Sequence, residues 1–384
     1  MTDTILCIDV GTSSLKAAFL SDNLRRQEIV VSRKPFPKSA LSECESAAHY
    51  LPALKAALSE LREKSPGCAV EAVCISGNGP TVISDDGTTL LYSDVFALSA
   101  RIRGVNKAAL KASKSLFIPR LVGFRAVFKE KWAETRHIFG APEYLIHQLT
   151  GKAVTILPDE RFSIAYWTDE ELKDCGFSDS DIKKLPPFVR MGAFAGKINE
   201  RAARETGLLE GTLVFAGASD FVAALIGTGT VFPGRLCDRA GTSEALNLCT
   251  AGPVFAEGLR TMPGVLPGMW NLSYLMRGGG AVRGLDSLGQ SAESASYFDE
   301  LSHGVARLRE AAEANGEIFP DSMAITGGQA LSAELVAAKE AATGMRLRAM
   351  PCADAELIGD LILARVSLGD YDDIEEAVFA ILGA

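Results

Sequence analysis

The sequence is poor in the residues and patterns that build metal clusters. It contains only four histidines, its eight cysteines form no CxxC pair, and it has no HExxH motif. These absences argue against a zinc site. The cysteines are scattered, and the first ten residues carry two aspartates and no basic residue. We therefore expect reduced thiols, no signal peptide and a cytoplasmic location.

Long hydrophobic runs and an excess of positive charge are also missing. The longest apolar window without a charge, residues 261–276, contains two prolines and is shorter than the roughly 18 residues that a membrane-spanning helix needs. Lysine and arginine total 39 against 48 aspartates and glutamates, so the formal net charge is −9. We therefore expect neither a membrane span nor a nucleic-acid partner.

What the chain does have is the composition of a packed globular protein. Hydrophobic residues make up 47% and charged residues 23% of the 384 positions, a length that suggests two domains at about 150 residues each. Apolar runs predict strands at 4–10, 15–20, 69–76, 213–216, 235–239, 244–249, 270–276 and 322–326, and helices at 47–64, 294–314, 332–343 and 354–367. Interleaved strands and helices of this kind predict an α/β architecture with mixed sheets.

A short internal repeat divides the chain. Residues 6–13 (LCIDVGTS) and residues 236–243 (LCDRAGTS) align without gaps and are identical at five of eight positions. Each copy is a predicted strand that ends in a Gly-Thr-Ser turn before a second strand. Backbone N–H groups in such a turn suit phosphate oxygens, so two facing copies would hold one polyphosphate. The alternative is coincidence, because Gly-Thr-Ser is common turn chemistry.

Charged residues distinguish the two copies of the hairpin. Asp9 stands two positions before the glycine of the first copy, where the second copy has Arg239. A carboxylate there can hold Mg²⁺, which takes one or two carboxylates and keeps most of its water. Lys16 lies on the next predicted strand and can add positive charge, although a solvated strand lysine is the alternative.

Two further glycine-rich segments carry candidate residues. Asp220 follows a predicted strand and precedes an apolar helical run, so it can accept a hydroxyl proton during phosphoryl transfer or simply cap the helix. Gly327 and Gly328, followed by Gln329, lie after another predicted strand, where the backbone can approach a flat ligand or a phosphate; a helix-entry turn is the alternative. The sequence has no Walker motif and no GxGxxG after a strand.

Six segments in this order resemble motifs of the FGGY family of carbohydrate kinases, and the likeness covers most of the chain. In chain order they are Asp9-x-Gly11-Thr12-Ser13-x-x-Lys16 (first phosphate motif), Pro142-Glu143-Tyr144-Leu145 with Leu149-Thr150-Gly151 (the YLxxxLTG helix), Leu185-Pro186-Pro187 to Gly196 (the linker), Gly217-Ala218-Ser219-Asp220 (the GGGD segment), Gly241-Thr242-Ser243 (second phosphate loop) and Thr326-Gly327-Gly328-Gln329-Ala330 (the TGGGA adenosine loop).

The resemblance implies two ribonuclease-H-like domains of the actin-like ATPase superfamily, residues 1–222 on the sugar side and 223–384 on the nucleotide side, with mixed sheets around an interdomain cleft. It also implies ATP- and Mg²⁺-dependent phosphorylation of a sugar or polyol hydroxyl. Asp220 would be the general base and Asp9 would hold the metal. The sugar would be bound by Asn78, Arg101 and Asp220, and the nucleotide by Gly11, Thr12, Ser13, Lys16, Gly241, Thr242, Ser243, Gly327, Gly328 and Gln329.

Departures from the family pattern concern the sugar pocket and the second domain. The usual GQMHG segment is Ser76-Gly77-Asn78-Gly79-Pro80 here, and the usual WxDxR keeps only Arg101. A block that precedes Gly304 in the family is missing, so the second domain is expected to be short. The sequence therefore does not identify the sugar, although the chain resembles the xylulokinase branch most. The oligomeric state is also not fixed by the sequence, and a homodimer is compatible with it. The alternatives to a kinase are a regulatory sugar- or nucleotide-binding protein without transfer, and an ATPase that performs conformational work.

Overall fold

The computed structural model describes residues 2–25, 28–42, 44–91, 107–240, 244–277 and 292–383. The chain divides into two compact units. The first consists of Met1–Ser21, Val30–Phe221 and Leu363–Leu368, and the second of Asp22–Ile29, Val222–Ile362 and Gly369–Ala384. No helix among the described residues is both long and apolar enough to cross a membrane.

The first unit contains strands β1 to β11 and helices α1 to α9. The strands are β1 (Thr2–Val10), β2 (Ser14–Leu20), β3 (Ser32–Pro35), β4 (Cys68–Gly77), β5 (Val82–Ser84), β6 (Thr89–Leu90), β7 (Ile138–Phe139), β8 (Thr155–Leu157), β9 (Phe188–Arg190), β10 (Phe194–Lys197) and β11 (Leu213–Ser219). The helices are α1 (Lys38–Ser42), α2 (Tyr50–Lys64), α3 (Lys107–Ala112), α4 (Ile118–Val127), α5 (Lys129–Glu134), α6 (Ala141–Thr150), α7 (Asp169–Asp174), α8 (Asp179–Ile182) and α9 (Glu200–Thr206).

The centre of the first unit is a six-stranded mixed sheet in the order β10-β11-β4-β1-β2-β3. Strands β1, β4 and β11 run parallel, whereas β2 pairs with β1 as an antiparallel hairpin. The middle residues of these strands, Ile5–Ile8 in β1 and Ala72–Ile75 in β4, are apolar and fully buried, which is typical of parallel strands that are covered on both faces. The predicted hairpin and the predicted strand at 69–76 are both confirmed.

Helices α2 and α6 cover one face of this sheet. Leu54, Leu58 and Leu61 of α2 recur at helical spacing and are buried against the sheet. Helix α6 begins with Pro142 in its first turn and is followed by Gly151 in the left-handed conformation, with φ of 75°. Proline at the start and glycine after the end are the signals from which this helix is predicted.

The second unit contains helices α10 to α14 and strands β12 to β17. The helices are α10 (Asp220–Thr228), α11 (Ala292–Ala314), α12 (Ala333–Thr343), α13 (Ala355–Leu368) and α14 (Ile374–Leu382), although α10 begins and α13 ends in segments of the first unit. The strands are β12 (Leu236–Ala240), β13 (Glu244–Thr250), β14 (Arg260–Pro263), β15 (Trp270–Leu275), β16 (Ser322–Gly327) and β17 (Arg346–Ala349).

The second unit repeats the arrangement of five strands of the first, since β12, β13, β15, β16 and β17 correspond to β1, β2, β3, β4 and β11, whereas the edge strands β10 and β14 lie at opposite ends of the two sheets. Its six-stranded sheet has the order β14-β15-β13-β12-β16-β17, with β12, β16 and β17 parallel and β13 antiparallel to β12. The register matches as well: Val10 lies opposite Gly77 in the first sheet, and Ala240 lies opposite Gly327 in the second. The short sequence repeat therefore marks a structural duplication rather than a coincidence, and the predicted mixed α/β architecture is confirmed.

Helices α10 and α13 approach each other closely at two glycines. A Cβ atom added at Gly359 would overlap the carbonyl oxygen of Ala223, and one added at Gly227 would overlap that of Ala355. Because both obstacles are backbone atoms, no side-chain rotation can relieve the overlap. Glycine at both positions is therefore required for this helix crossing.

Candidate active site

The candidate site of the first unit lies where its parallel strands end. Gly11 follows β1, Asn78 follows β4 and Asp220 follows β11. Gly77 lies opposite Val10 on one side and Ser219 on the other, so the three strands end at a common edge. Ligands of parallel α/β sheets bind beyond this edge. The fold thus brings together three predicted site segments that are far apart in the sequence.

The first Gly-Thr-Ser turn is held by backbone hydrogen bonds. The Gly11 N–H donates to the Ser14 carbonyl over 3.0 Å, and the Phe36 N–H donates to the Ser13 carbonyl over 2.8 Å. A Cβ at Gly11 would lie 3.0 Å from the Ser14 carbonyl oxygen, which is tighter than an ordinary contact. Glycine therefore lets the chain turn sharply beside the end of β1. Thr12 and Ser13 lie at the surface of this turn.

Asp9 and Lys16 form an ion pair across the β1–β2 hairpin. They lie opposite each other in the strand register, and Lys16 Nζ is 2.9 Å from Asp9 Oδ2. The lysine side chain is 15% exposed and the aspartate side chain 4% exposed. Lys16 is therefore not a solvated strand residue, and the pair places one positive and one negative group directly beside the turn.

The segment after β4 is packed too tightly for a larger residue at its start. A Cβ at Gly77 would lie 2.8 Å from the Val10 carbonyl oxygen and 3.2 Å from Pro142 Cδ at the start of α6. The next residue, Asn78, is 2% exposed. Its backbone N–H and its side-chain Nδ2 each donate to the Val10 carbonyl over 2.9 Å, and its Oδ1 accepts from the Thr81 hydroxyl. The Asn78 amide thus ties this segment to the β1–β2 hairpin.

Asp220 is the first residue of α10 and is half-buried. Its Oδ1 accepts a hydrogen bond of 2.6 Å from the Phe221 N–H. The preceding residues of β11 are buried from Val214 to Ala218, so the carboxylate lies where an apolar strand gives way to a helix. This position is chemically suitable for a proton acceptor beside the sheet edge.

A second carboxyl group near this edge was not assigned a role from the sequence. Glu143, in the first turn of α6, is buried, and its Oε1 accepts a hydrogen bond of 3.0 Å from the Ile156 N–H. Its Oε2 has no hydrogen-bond partner among the described residues. Burial raises the pKa of Glu143 to about 7, against the opposing effect of backbone hydrogen bonds. A glutamate within an otherwise apolar helix start is the signal that the sequence offers for such a group.

The second unit has a corresponding edge beyond β12 and β16. Gly327, the last residue of β16, has φ of 88°, which favours glycine. The 3₁₀ turn Gly328–Leu331 follows it. A Cβ at Gly328 would meet no atom within 4 Å, so the space beside this glycine is open. Gln329, by contrast, is 1% exposed, and its amide points into the unit.

A buried network lies beneath this edge, and sequence reasoning missed it. Lys339 Nζ contacts the carboxylates of Asp238 and Glu244, the latter over 2.9 Å, and all three side chains are fully buried. Gln329 Nε2 donates to Glu244 Oε2 over 2.9 Å, and the Tyr297 hydroxyl is 2.8 Å from Glu244 Oε1. The sequence offers a signal for it, because Asp238 within β12 and Glu244 at the start of β13 are carboxylates at strand positions that share one face of the sheet.

Four predicted site residues lie outside the described residues: Arg101, Gly241, Thr242 and Ser243. Among the described residues, no group of three or more His, Cys, Asp or Glu side chains could hold a metal ion. Asp9 remains the predicted metal-binding residue, since Mg²⁺ bound to phosphates needs few protein carboxylates.

The family of this chain follows from comparison with known protein families. Residues 4–227 match the model of the N-terminal domain of the FGGY family of carbohydrate kinases. The chain belongs to the FGGY family. The match includes the β1–β2 hairpin, the segment after β4 and Asp220, which are the elements that meet at the first sheet edge.

Individual relatives agree with this family membership. The chain is 31% identical over 140 residues to a ribulokinase from Geobacillus thermodenitrificans and 24% identical over 266 residues to a xylulose kinase from Bacillus subtilis. These alignments cover 36% and 63% of this chain and 22% and 52% of the relatives, so the chain spans about half or less of the curated relatives it matches.

A solved structure extends the likeness over the whole fold. Ligand-bound xylulose kinase from Lactobacillus acidophilus superimposes with a TM-score of 0.72 over 98% of this chain and 91% of that one, at 17% identity. At this identity the match shows the fold alone. The predicted α/β fold with mixed sheets in two units is confirmed.

Proposed function

We propose that this chain is an ATP-dependent carbohydrate kinase that transfers the terminal phosphoryl group of ATP to a hydroxyl of a sugar or sugar-like polyol. The observation that carries the proposal is the meeting of the Gly11–Ser13 turn, the Asn78 segment and the Asp220 carboxylate at one sheet edge. Membership of a family of carbohydrate kinases supports it, as does the likeness to a xylulose kinase and a ribulokinase.

In the proposed reaction, Asp220 accepts the proton of the sugar hydroxyl. The hydroxyl oxygen forms a bond to the γ-phosphorus, and the bond between that phosphorus and the oxygen of ADP breaks. Thr12 and Ser13 hold phosphate oxygens through backbone N–H and hydroxyl groups, and Lys16 offsets part of the phosphate charge. The first unit thus supplies the proton acceptor and the first phosphate-binding turn.

Asp9 is the residue proposed to hold Mg²⁺. Its carboxylate is a hard oxygen donor two residues before the Gly11–Ser13 turn, and a single aspartate fits an ion that takes its other ligands from water and phosphate. Bound there, Mg²⁺ would neutralise charge on the phosphates. The ion pair with Lys16 holds the Asp9 carboxylate beside the turn.

The second unit supplies the nucleotide side in this proposal. Gly327 and Gly328 leave room for a flat ligand, because Gly328 has open space where a side chain would stand. Gly241, Thr242 and Ser243 are the proposed second phosphate loop. Gln329 lies in the same proposed adenosine loop, but its side chain contacts Glu244 rather than the open side.

The test is an ADP-release assay with pentuloses, hexoses, polyols and sugar acids, applied to the wild type and to Asp220→Asn. A substrate that stimulates ADP release identifies the acceptor. Loss of a general base costs about two to four orders of magnitude, so we expect at least a hundredfold fall in kcat with little change in ATP affinity. Asp169→Asn is the matched control, since Asp169 also begins a helix. Equal turnover in the wild type and Asp220→Asn would remove Asp220 from the mechanism.

A second candidate function is sugar or nucleotide binding without transfer. The observation that favours it concerns Asn78, a predicted sugar-binding residue. Its side-chain amide is hydrogen-bonded to Val10 and Thr81 in the interior. Under this alternative, calorimetry detects binding of ATP or of a sugar, while no compound in the panel stimulates ADP release.

A further inference from the structure

The buried network of the second unit joins Glu244, which stands next in the chain to one segment that the proposed function assigns to the nucleotide, with Gln329, which lies in the other such segment. Glu244 is the first residue of β13 and directly follows Gly241–Ser243 in the chain. Gln329 belongs to the turn after β16. The hydrogen bond between their side chains, 2.9 Å long, therefore connects the start of β13 with the turn that follows Gly327.

The cost of burying these groups indicates that the connection is specific. Asp238 and Glu244 lie on the sheet face that packs Leu246 and Leu335 into the core of the second unit. A carboxylate in such a place is unfavourable unless it is paired and hydrogen-bonded. One lysine, Lys339, serves two carboxylates, so the cluster keeps a net negative charge.

The pKa shifts within the cluster are consistent with its excess of negative charge. Burial raises the pKa of Asp238 above its usual range, although Lys339 opposes the shift. Burial alone would lower the pKa of Lys339, but Asp238 and Glu244 raise it. The lysine therefore stays charged, and the excess negative charge must be satisfied by neutral donors.

Gln329 and Tyr297 are those neutral donors. Gln329 Nε2 occupies Glu244 Oε2, and the Tyr297 hydroxyl lies 2.8 Å from Glu244 Oε1 and 3.0 Å from Gln329 Oε1. The hydroxyl has a single hydrogen, so it donates to one of these oxygens while remaining close to the other. The family motif has glycine where this chain has Gln329, and a glycine could not reach the carboxylate.

We propose that Glu244 and Gln329 are positioning residues that hold the start of β13 and the Gly327–Gln329 turn at a set separation, so that one nucleotide can contact the two segments assigned to it. The proposal rests on the proposed function, because it takes these two segments as nucleotide-binding. It predicts that the network matters for a ligand that spans both segments and much less for a ligand that touches only one.

The experiment compares nucleotide affinity in the wild type and in Gln329→Leu. Leucine keeps most of the side-chain volume, removes the link to Glu244 and leaves both ion pairs of Lys339 in place. Loss of a hydrogen bond to a charged group corresponds to roughly a tenfold change in an equilibrium. We therefore expect the Kd for MgATP, measured by calorimetry, to rise about tenfold, while the Kd values for adenosine and for tripolyphosphate change less than threefold.

Asn247→Leu is the matched control. Asn247 is a fully buried amide on the other face of β13, hydrogen-bonded to Ala245 and Ser273. This variant should lose stability in urea unfolding but keep the wild-type Kd for MgATP. If Gln329→Leu does not fold, Gln329→Asn serves instead, because it keeps an amide that is one methylene too short to reach Glu244.

The outcomes separate the two proposals. If the wild type binds MgATP and Gln329→Leu binds it equally well, the positioning role is wrong and the kinase proposal stands. The same conclusion follows if Asn247→Leu weakens MgATP binding as much as Gln329→Leu, because the effect would then be general destabilisation. If the wild type does not bind MgATP, both the nucleotide assignment and the positioning role fail.

Discussion

The crossing of α10 and α13 allows the sharpest prediction about stability. A methyl group at Gly359 would stand 2.8 Å from the carbonyl carbon of Ala223 and 3.0 Å from its Cα, besides overlapping the carbonyl oxygen. Favourable carbon–carbon contacts lie at about 3.5 to 4.0 Å. The two helices would have to separate by roughly an ångström at this point to accept the substitution Gly359→Ala.

The expected cost follows from two opposing effects. Overpacking of a buried site costs about 1 to 3 kcal/mol, and contact with rigid backbone places this site at the upper end. Alanine gains about 1 kcal/mol over glycine in a helix interior. We therefore expect Gly359→Ala to lower the free energy of unfolding by about 2 kcal/mol.

Gly123 provides the matched comparison, because it too lies inside a buried helix. Its nearest obstacle to a Cβ is Leu90 Cδ2 at 3.6 Å, which is an ordinary contact. Gly123→Ala should therefore raise stability by up to about 1 kcal/mol through helix propensity alone. Urea unfolding of the wild type and the two variants measures whether each substitution raises or lowers the free energy of unfolding. If Gly359→Ala is as stable as the wild type, the close helix approach is not a feature of the folded protein.

Two buried ionisable groups support further predictions, each measured by urea unfolding. Glu143 has a pKa of about 7 in the folded chain against an ordinary value of 4.5, so the folded state binds the proton more tightly and stability falls as pH rises from about 4.5 to 7. The loss is about 3 kcal/mol; Glu143→Gln should remove that part of the pH dependence, and an unchanged profile would contradict the assignment. Lys339→Met leaves Asp238 and Glu244 buried without a cation and should cost about 3 to 5 kcal/mol, whereas a variant as stable as the wild type would show that the ion pairs contribute nothing.

Much of the fold follows from local sequence patterns. The runs that become β1 and β4 are short and rich in β-branched residues, and the α6 boundaries are marked by Pro142 and Gly151. These signals are local, so a single sequence reveals them. The repeat of the Gly-Thr-Ser hairpin goes further, because it predicts that two distant parts of the chain share one topology.

The details of the site depend on tertiary packing and could not be predicted in the same way. Nothing in the local sequence shows that the Asn78 amide turns inward to Val10, or that Gln329 reaches Glu244 across 85 positions. Lys339 looks like a surface residue of an amphipathic helix, since lysine is seldom fully buried. Its burial becomes intelligible only when α12 is placed over Asp238 and Glu244.

Both units contain a hydrogen bond from an amide side chain to a neighbouring strand, but the acceptor differs chemically between them. In each unit an amide side chain just after the central parallel strand ties its loop to the neighbouring hairpin: Asn78 to the carbonyl of Val10, and Gln329 to the carboxylate of Glu244. A backbone carbonyl is present whatever residue stands at position 10, so the first tie tolerates change in the hairpin. The second tie needs a glutamate, and hydrogen bonds to charged groups are about twice as strong as neutral ones. A side-chain substitution at Glu244 should therefore break the tie in the second unit, whereas a substitution at Val10 should leave the tie in the first unit in place.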